Sequence, residues 1–167
     1  MGRVCEFSEV LYDTNLQLKT DATYHHQKRY VLTTNGCFDI LHIGHVRLIS
    51  MMKKVYTGTE GLRFIIVGVN SDDSVRRLKG NNRPIIPQYE RAEMVASLRG
   101  VDMVFIFDDE TPEEWIGKLK PDKHFKVGYK LTDVPEAKVI KSYGGELVLL
   151  DKLASVSTTQ IIERIRQ

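Results

Sequence analysis

The segment LRFIIVGVN, residues 62–70, restricts the fold of this chain more than any other stretch. Apart from its arginine and its final asparagine, it contains only apolar residues and one glycine. A strand with one solvated face alternates apolar and polar residues, whereas a parallel strand covered on both faces is continuously apolar. Ser71 follows as a favourable helix N-cap, and Asp72 and Asp73 complement the helix dipole. The segment therefore predicts a buried parallel strand that leads directly into a helix.

The same succession of strand and helix recurs along the chain. Further strands are predicted at YVLTT, VDMVFIF, DKHFKVG and ELVLLD, and segments with apolar residues at helical spacing lie between and after them. This order predicts a single α/β domain with a doubly wound, Rossmann-like parallel sheet over residues 30–167. Residues 1–29 show weak periodicity and many polar groups, and they predict an N-terminal extension or linker with one short helix.

Composition and charge set limits on the class of protein. The 167 residues fit one domain with a sizeable core. The formal net charge of +2 argues neither for nor against a nucleic-acid partner. No apolar run approaches the roughly 20 residues of a membrane span, and the acidic residues near the start are unlike a signal peptide. The two cysteines imply no disulfide framework, so we expect a reducing, cytoplasmic location.

Polar and glycine-containing segments follow several of the predicted strands. NGCFD follows the first strand of the domain, NSDD the second and VGYK the fourth, while SVSTT precedes the last helix. In doubly wound sheets the ligand binds at the carboxyl ends of the strands, near the switch point of the strand order. We therefore expect these segments to converge on one binding site.

The stretch NGCFDILHIGHV, residues 35–46, places His42 and His45 three residues apart. A zinc site needs at least three protein ligands, and although Asp39 could join, no cysteine pair or second histidine pair lies near a strand end. We therefore predict no protein metal site. A glycine-containing turn that runs into a helix N-terminus instead predicts a phosphate site, with the imidazoles as additional donors. The alternative is that His42 caps the turn and His45 is a satisfied core histidine.

The segment GCFDILHIGH resembles the H-x-G-H signature of the nucleotidylyltransferase superfamily. VNSDDSVRRLKGNNRPIIPQYERAEMVASLRGVDMVFIFDDETP and SVSTTQII resemble the matching parts of sugar-phosphate nucleotidylyltransferases, in the same order. The closest resemblance is to the adenylyltransferase domain that acts on heptose 1-phosphate. Glycerol-3-phosphate cytidylyltransferases are similar but less close, notably around LKGNNRPI. The resemblance covers about residues 29–167.

This resemblance implies transfer of a nucleotidyl group from a nucleoside triphosphate, with ATP favoured, to a sugar phosphate, with release of pyrophosphate. The implied catalytic residues are His42, His45 and Lys79. The implied nucleotide-binding residues are Asn35, Gly36, Cys37, Phe38, Gly44, Arg91, Gly128, Tyr129, Ser157, Thr158 and Thr159. Asp39 and Arg83 would contact the acceptor substrate, and Asp39 could also help to hold a cation. Mg²⁺ is expected with the triphosphate, and a homodimer is implied, with no nucleic acid or membrane among the partners.

Two departures from the resembled families leave the nucleotide open. Lys152 stands where the cytidylyltransferases carry an arginine, and lysine lacks the bidentate guanidinium. No aspartate directly precedes Tyr129, unlike the corresponding segment of the heptose enzymes. A CTP-dependent enzyme acting on glycerol 3-phosphate or a related polyol phosphate is therefore an alternative, and a nucleotide-binding module without turnover is an alternative of another class. A redox dinucleotide protein would need G-x-G-x-x-G after the first strand, which GCFDIL does not provide.

Overall fold

The structure is a computed structural model that describes residues 1–20, 29–55 and 62–167. A parallel sheet forms its centre. Within these ranges its six strands are Arg3–Val4 (β1), Arg29–Gly36 (β2), Leu62–Asn70 (β3), Met103–Phe107 (β4), Lys123–Val127 (β5) and Glu146–Leu150 (β6). The α-helices of the same ranges are Phe7–Thr20 (α1), Ile43–Met52 (α2), Asp72–Lys79 (α3), Gln88–Ala96 (α4), Glu113–Leu119 (α5), Ala137–Ser142 (α6) and Thr158–Ile165 (α7). None of the helices described is long and apolar enough to cross a bilayer.

Helices cover both faces of the sheet, and β3 shows why its sequence is continuously apolar. Its neighbouring residues Ile65 and Ile66 are both buried, and each belongs to a different core. The core around Ile65 includes Ile49 of α2, and the core around Ile66 includes Val10 of α1. Successive side chains of a strand point to opposite faces, so both faces of β3 require apolar residues. The prediction of a doubly wound parallel sheet is confirmed.

The order of the strands places a switch point at β2. The sheet runs β1-β4-β3-β2-β5-β6, and Thr34 of β2 pairs with Val67 of β3 on one side and with Phe125 of β5 on the other. The chain therefore continues from β2 towards one edge of the sheet and later fills the other edge. In open α/β sheets this arrangement opens a crevice at the carboxyl ends of the two strands that flank the switch point, which are β2 and β5. The ends of β2 and β5 are thus the expected place for a ligand.

The N-terminal segment is packed against the sheet, which differs from the extension or linker that the sequence predicted. Arg3 and Val4 pair in parallel with β4 at the edge of the sheet. In α1, Val10 is fully buried, and the Phe7 ring lies 4.9 Å from the ring of Phe105. A two-residue strand carries no periodicity, so this pairing could not be predicted from the sequence. Residues 21–28 of the predicted extension lie outside the described residues, and the domain boundary at residue 30 stays a prediction.

Candidate active site

The first turn of α2 is built by the two histidines of the H-x-G-H stretch. The Gly44 N–H donates to Nδ1 of His42 at 3.1 Å, and the His42 N–H donates to Nδ1 of His45 at 3.3 Å. This reciprocal arrangement is a capping box, in which two side chains satisfy backbone donors of the helix start. Because each Nδ1 accepts a hydrogen bond, the proton of each neutral ring is assigned to Nε2. His42 therefore caps α2, as the alternative interpretation predicted. The cap fixes the orientation of both rings and is compatible with a phosphate role.

The surroundings of the two rings favour their neutral form. Burial lowers the pKa of His42, and burial together with the neighbouring His42 lowers the pKa of His45 to about 4. The ring centroids of the two histidines are 4.0 Å apart, and the Phe38 ring lies 5.0 Å from that of His45. Near neutral pH the pair therefore presents two uncharged N–H donors rather than two cations.

Gly44 has a packing reason to be glycine. A Cβ atom at this position would lie 2.8 Å from Cε1 and 2.9 Å from Nδ1 of His42. Both distances are shorter than the normal separation of non-bonded heavy atoms. Any side chain here would therefore push the His42 ring out of its cap.

A pocket of about 590 Å³, named here the histidine pocket, opens beside these rings. His42, Gly44 and His45 line one wall, and Ser157 and Thr159 line another. The structure thus brings together the two ends of the predicted site, which lie more than a hundred positions apart in the sequence. The wall further includes residues 152–156, so Lys152 also borders this pocket.

The second wall of the histidine pocket is the N-terminus of α7. Ser157 is the N-cap, and its hydroxyl accepts from the Gln160 N–H at 3.3 Å. The Thr158 hydroxyl donates to the Ile40 carbonyl at 3.3 Å, which ties this helix to the turn before α2. Two helix N-termini therefore border one pocket, and each directs the positive end of its helix dipole towards it. Such a cavity suits an anion with several oxygen atoms.

A second pocket of about 260 Å³, named here the lysine pocket, lies on the other side of the end of β5. Val127 borders the histidine pocket, whereas Lys126 and Tyr129 border the lysine pocket. Predicted site residues that line the lysine pocket are Asn35, Gly36, Cys37, Lys79 and Tyr129. Gly128 lies between the two, at a φ of 75°. Predicted residues therefore line two neighbouring pockets, whereas six of them line neither: Phe38, Asp39, Arg83, Arg91, Gly128 and Thr158.

Asp39 and Arg83, predicted as substrate contacts, bind each other. Asp39 is 1% exposed; its Oδ2 accepts from Nε of Arg83, and its Oδ1 accepts from the N–H groups of Ile85 and Ile86 at 2.8 and 2.9 Å. Both carboxylate oxygens are thus occupied by the loop before α4. Asp39 therefore stabilises this loop. Neither a cation role nor a direct substrate contact of its carboxylate fits this arrangement.

Arg91, predicted as a nucleotide contact, is fully buried. Its guanidinium donates to the carbonyl of Ile86 at 2.9 Å, to the carbonyl of Cys37, and to Oδ1 of Asp72 at 2.8 Å. With no exposed surface it cannot touch a ligand, so the structure corrects this prediction. Arg91 instead stabilises the turn after β2 through its hydrogen bond to the Cys37 carbonyl. Burial also raises the pKa of the Cys37 thiol, so this group is not a thiolate nucleophile.

Two ionisable residues at the lysine pocket, Lys126 and Glu136, were not predicted from the sequence. Lys126 is the fourth residue of β5, and its ammonium lies 2.9 Å from Oε1 of Glu136, the N-cap position of α6. A lysine inside an otherwise buried strand was the available signal. Glu136 gave none, because its burial depends on how α6 packs.

The described residues contain no group of three histidine, cysteine or acidic side chains that could hold a metal ion. Both cysteines, Cys5 and Cys37, are free thiols.

Comparison with known proteins agrees with this architecture. Residues 33–164 match the cytidylyltransferase-like family. Proteins called Bifunctional protein HldE from Nitratiruptor sp. and Alcanivorax borkumensis are 46% and 43% identical over 85% and 84% of this chain, and in each case the match spans 29% of the relative. The chain therefore matches less than a third of the length of these relatives.

A solved structure, that of the lipopolysaccharide core biosynthesis protein from Thermoplasma volcanium, shares the fold with a TM-score of 0.57. It is 21% identical, and the match covers 76% of this chain and 98% of that one. At this identity the likeness concerns the fold alone. The family match covers most of the chain, including both histidines and the start of α7. The chain belongs to the cytidylyltransferase-like family.

Proposed function

We propose that this chain transfers the nucleotidyl group of a nucleoside triphosphate, ATP by preference, to a sugar phosphate such as heptose 1-phosphate, and releases pyrophosphate. The observation that carries the proposal is the pair of neutral Nε2–H donors at the start of α2, which faces the N-terminus of α7 across one pocket. The 46% identity to a Bifunctional protein HldE supports the same reaction class, and the resemblance to heptose adenylyltransferases favours ATP.

The reaction needs positioned donors more than a base. An oxygen of the acceptor phosphate attacks the α-phosphorus, and the bond from that phosphorus to the oxygen bridging to the β-phosphate breaks. The bonding electrons leave with pyrophosphate, and the attacking oxygen is already anionic, so no proton has to be removed. Catalysis then consists of holding the reactants in line and stabilising the charge that shifts between phosphate oxygens.

The residues of the two pockets supply these functions in our proposal. His42 and His45 donate their Nε2–H groups to oxygens of the α-phosphate as charge moves to the leaving group. The N–H groups at the start of α7, with Ser157 and Thr159, hold the β- and γ-phosphates. Lys79, at the end of α3, adds a cation from the side of the lysine pocket. The turn after β2 contributes backbone N–H groups.

Mg²⁺ is part of the proposal as a companion of the triphosphate. The described residues offer no three-ligand cage, and both oxygens of Asp39 are occupied. The ion would therefore be held by phosphate oxygens and water, which is how Mg²⁺ usually binds with nucleotides. We also propose a homodimer, from the family resemblance, and a cytoplasmic location, which the two free thiols support. Nucleic acid and membranes are not among the proposed partners.

Pyrophosphate release from ATP and from CTP, each with heptose 1-phosphate or glycerol 3-phosphate, tests the activity. We expect the fastest release with ATP and heptose 1-phosphate. Release only with CTP and glycerol 3-phosphate would instead establish the cytidylyltransferase alternative. Absence of release with every pair, together with tight nucleotide binding, would refute the activity and leave a binding module.

His45→Ala tests the assigned role, with Ser50→Ala as the control because Ser50 is an exposed residue of the same helix. Loss of one transition-state donor is expected to lower kcat by about 10²–10³-fold. The Kd of the nucleotide should change much less, because the donor matters most when charge shifts. Equal losses in kcat and affinity would show that His45 binds without catalysing.

A further inference from the structure

The connection between β6 and α7, residues 151–156, is named here the β6–α7 segment, and few polar contacts attach it to the rest of the protein. Residues 152–156 of this segment line the histidine pocket. Among the described residues, no backbone–backbone hydrogen bond involves the segment. The one hydrogen bond that it makes within the described ranges is accepted by the Leu153 carbonyl from Nη1 of Arg47, at 2.6 Å. A single side chain of α2 thus supplies the polar attachment of this wall.

Apolar packing holds the β6–α7 segment only in part. Leu153 is half-buried against the core around Ile65. A Cβ atom placed on Gly44 would lie 3.4 Å from Cβ of Ala154, so Ala154 packs beside the first turn of α2. Helix α7, which follows the segment, has no buried residue. Because a region with few buried contacts opens at a low cost in free energy, the bond from Arg47 is expected to contribute much of what keeps this segment in place.

Arg47 acts from outside the histidine pocket. It is an exposed residue of α2, two positions after His45, and it does not line the pocket. Its bond to a carbonyl is charge-assisted, and such bonds are stronger than those between neutral groups. A second polar link, from the Thr158 hydroxyl to the Ile40 carbonyl, is longer, at 3.3 Å. Arg47 therefore connects the helix that carries the histidine pair to the segment that leads into α7.

We propose that Arg47 is a positioning residue of the nucleotide site, which holds the β6–α7 segment against α2 so that the N-terminus of α7 faces the histidine pair. The inference rests on the proposed function and deepens it by naming the side chain that joins the two walls of the histidine pocket. A nucleotide that contacts both walls binds only those molecules in which the segment is in place. The apparent Kd of the nucleotide therefore rises by the factor by which that population falls.

Arg47→Met tests this link, with Arg99→Met as the matched control, because Arg99 is also exposed and does not line the histidine pocket. Loss of the bond is expected to raise the Kd of ATP with Mg²⁺, or of CTP with Mg²⁺ if CTP binds more tightly, about fivefold in calorimetry without acceptor. The nucleotide KM should rise to a similar extent. The value of kcat should stay within about twofold, because a saturating nucleotide itself holds the walls together. An unchanged Kd in Arg47→Met, or an equal rise in Arg99→Met, would overturn the inference.

Salt separates the hydrogen bond from a general attraction between Arg47 and the phosphates. An attraction between exposed charges is screened at about 0.5 M NaCl, whereas the position of the β6–α7 segment depends on a contact within the protein. The ratio of the Kd values of Arg47→Met and the wild type should therefore persist in high salt. A ratio that falls to one would overturn the inference.

Trypsin reports the state of the β6–α7 segment without any substrate, because Lys152 is an exposed cleavage site within it. Cleavage needs local opening of the chain around the site. The fragment of residues 153–167 should therefore appear several-fold faster from Arg47→Met than from the wild type or from Arg99→Met. Equal rates for Arg47→Met and the wild type would contradict the assigned role of Arg47.

Failure of the proposed function can be recognised separately, because calorimetry and proteolysis need no turnover. If the wild-type chain binds a nucleotide but releases no pyrophosphate with any acceptor, the proposed function fails. A Kd that rises only in Arg47→Met would then still support the inference. A wild-type chain that binds neither ATP nor CTP would refute both.

Discussion

Replacing Gly44 by alanine tests how the orientation of His42 affects catalysis while the stability of the fold stays nearly unchanged. The added Cβ would sit 2.8 Å from Cε1 and 2.9 Å from Nδ1 of His42, so the ring must move by at least about 0.6 Å to reach ordinary contact. That movement breaks the cap, which costs about 1 kcal/mol. Alanine in place of a helical glycine returns about 1 kcal/mol. The net change in the free energy of unfolding is therefore expected to be near zero.

The catalytic effect of Gly44→Ala should be much larger than its effect on stability. A misplacement of about 1 Å can cost about 10²-fold in rate, so a shift of this size is expected to lower kcat by about 10- to 100-fold. Gly117→Ala is the control, because Gly117 lies within α5 and its added Cβ would meet Val139 at an ordinary 3.4 Å. Pyrophosphate release and urea unfolding are measured on both variants. A wild-type kcat in Gly44→Ala would refute the view that the His42 position limits the reaction.

Three further predictions concern the supports of the site. Arg91→Met should destabilise the fold by about 3 kcal/mol in urea unfolding, because it leaves the Cys37 carbonyl and a carboxylate of α3 without their buried donor. In ¹⁵N NMR, His45 should be the neutral Nε2–H tautomer at pH 7 and titrate near pH 4. Since the unfolded chain protonates this ring near its usual value, stability should fall as the pH drops from about 6.5 towards 4. Val10→Ala should cost about 2 kcal/mol, because it removes two buried methyl groups of α1.

The matched controls for these supports are exposed residues of the same type. Arg99→Met and Val46→Ala should change the free energy of unfolding by less than about 0.5 kcal/mol. Comparable losses in the control and the test variant would contradict the assigned packing. A His45 titration near pH 6.5, or an Nδ1–H tautomer, would contradict the capping geometry.

The sequence was informative about the site wherever the chemistry lies in one short segment. The spacing of His42, Gly44 and His45 predicted a helix start with donors for an anion, and the structure places all three in its first turn and at its N-cap. The Ser157–Thr159 segment was likewise predicted to begin a helix, and its N-terminus meets the histidines at one pocket. These features depend on local backbone hydrogen bonds, which neighbouring residues determine.

The sequence was less informative about cationic and acidic residues. Arg83 and Arg91 were expected to meet ligands, yet each binds protein groups. Their carboxylate partners and the Cys37 carbonyl lie 19 to 54 residues away in the sequence, so local patterns do not predict these contacts. Lys126 and Glu136 form a pair only where the end of β5 meets the start of α6. The side-chain type alone does not tell a ligand-binding guanidinium from one that supports a turn.

By itself the sequence determined the parallel sheet, the order of the domain's strands and helices and the donor-rich helix starts, because hydrophobic periodicity and capping act over a few residues. Only the tertiary structure decided that β1 and α1 pack onto the sheet, that the predicted site divides into two pockets, and which charges remain free to meet a ligand. Those outcomes depend on contacts between segments tens of residues apart, where burial and pairing set the state of each ionisable group.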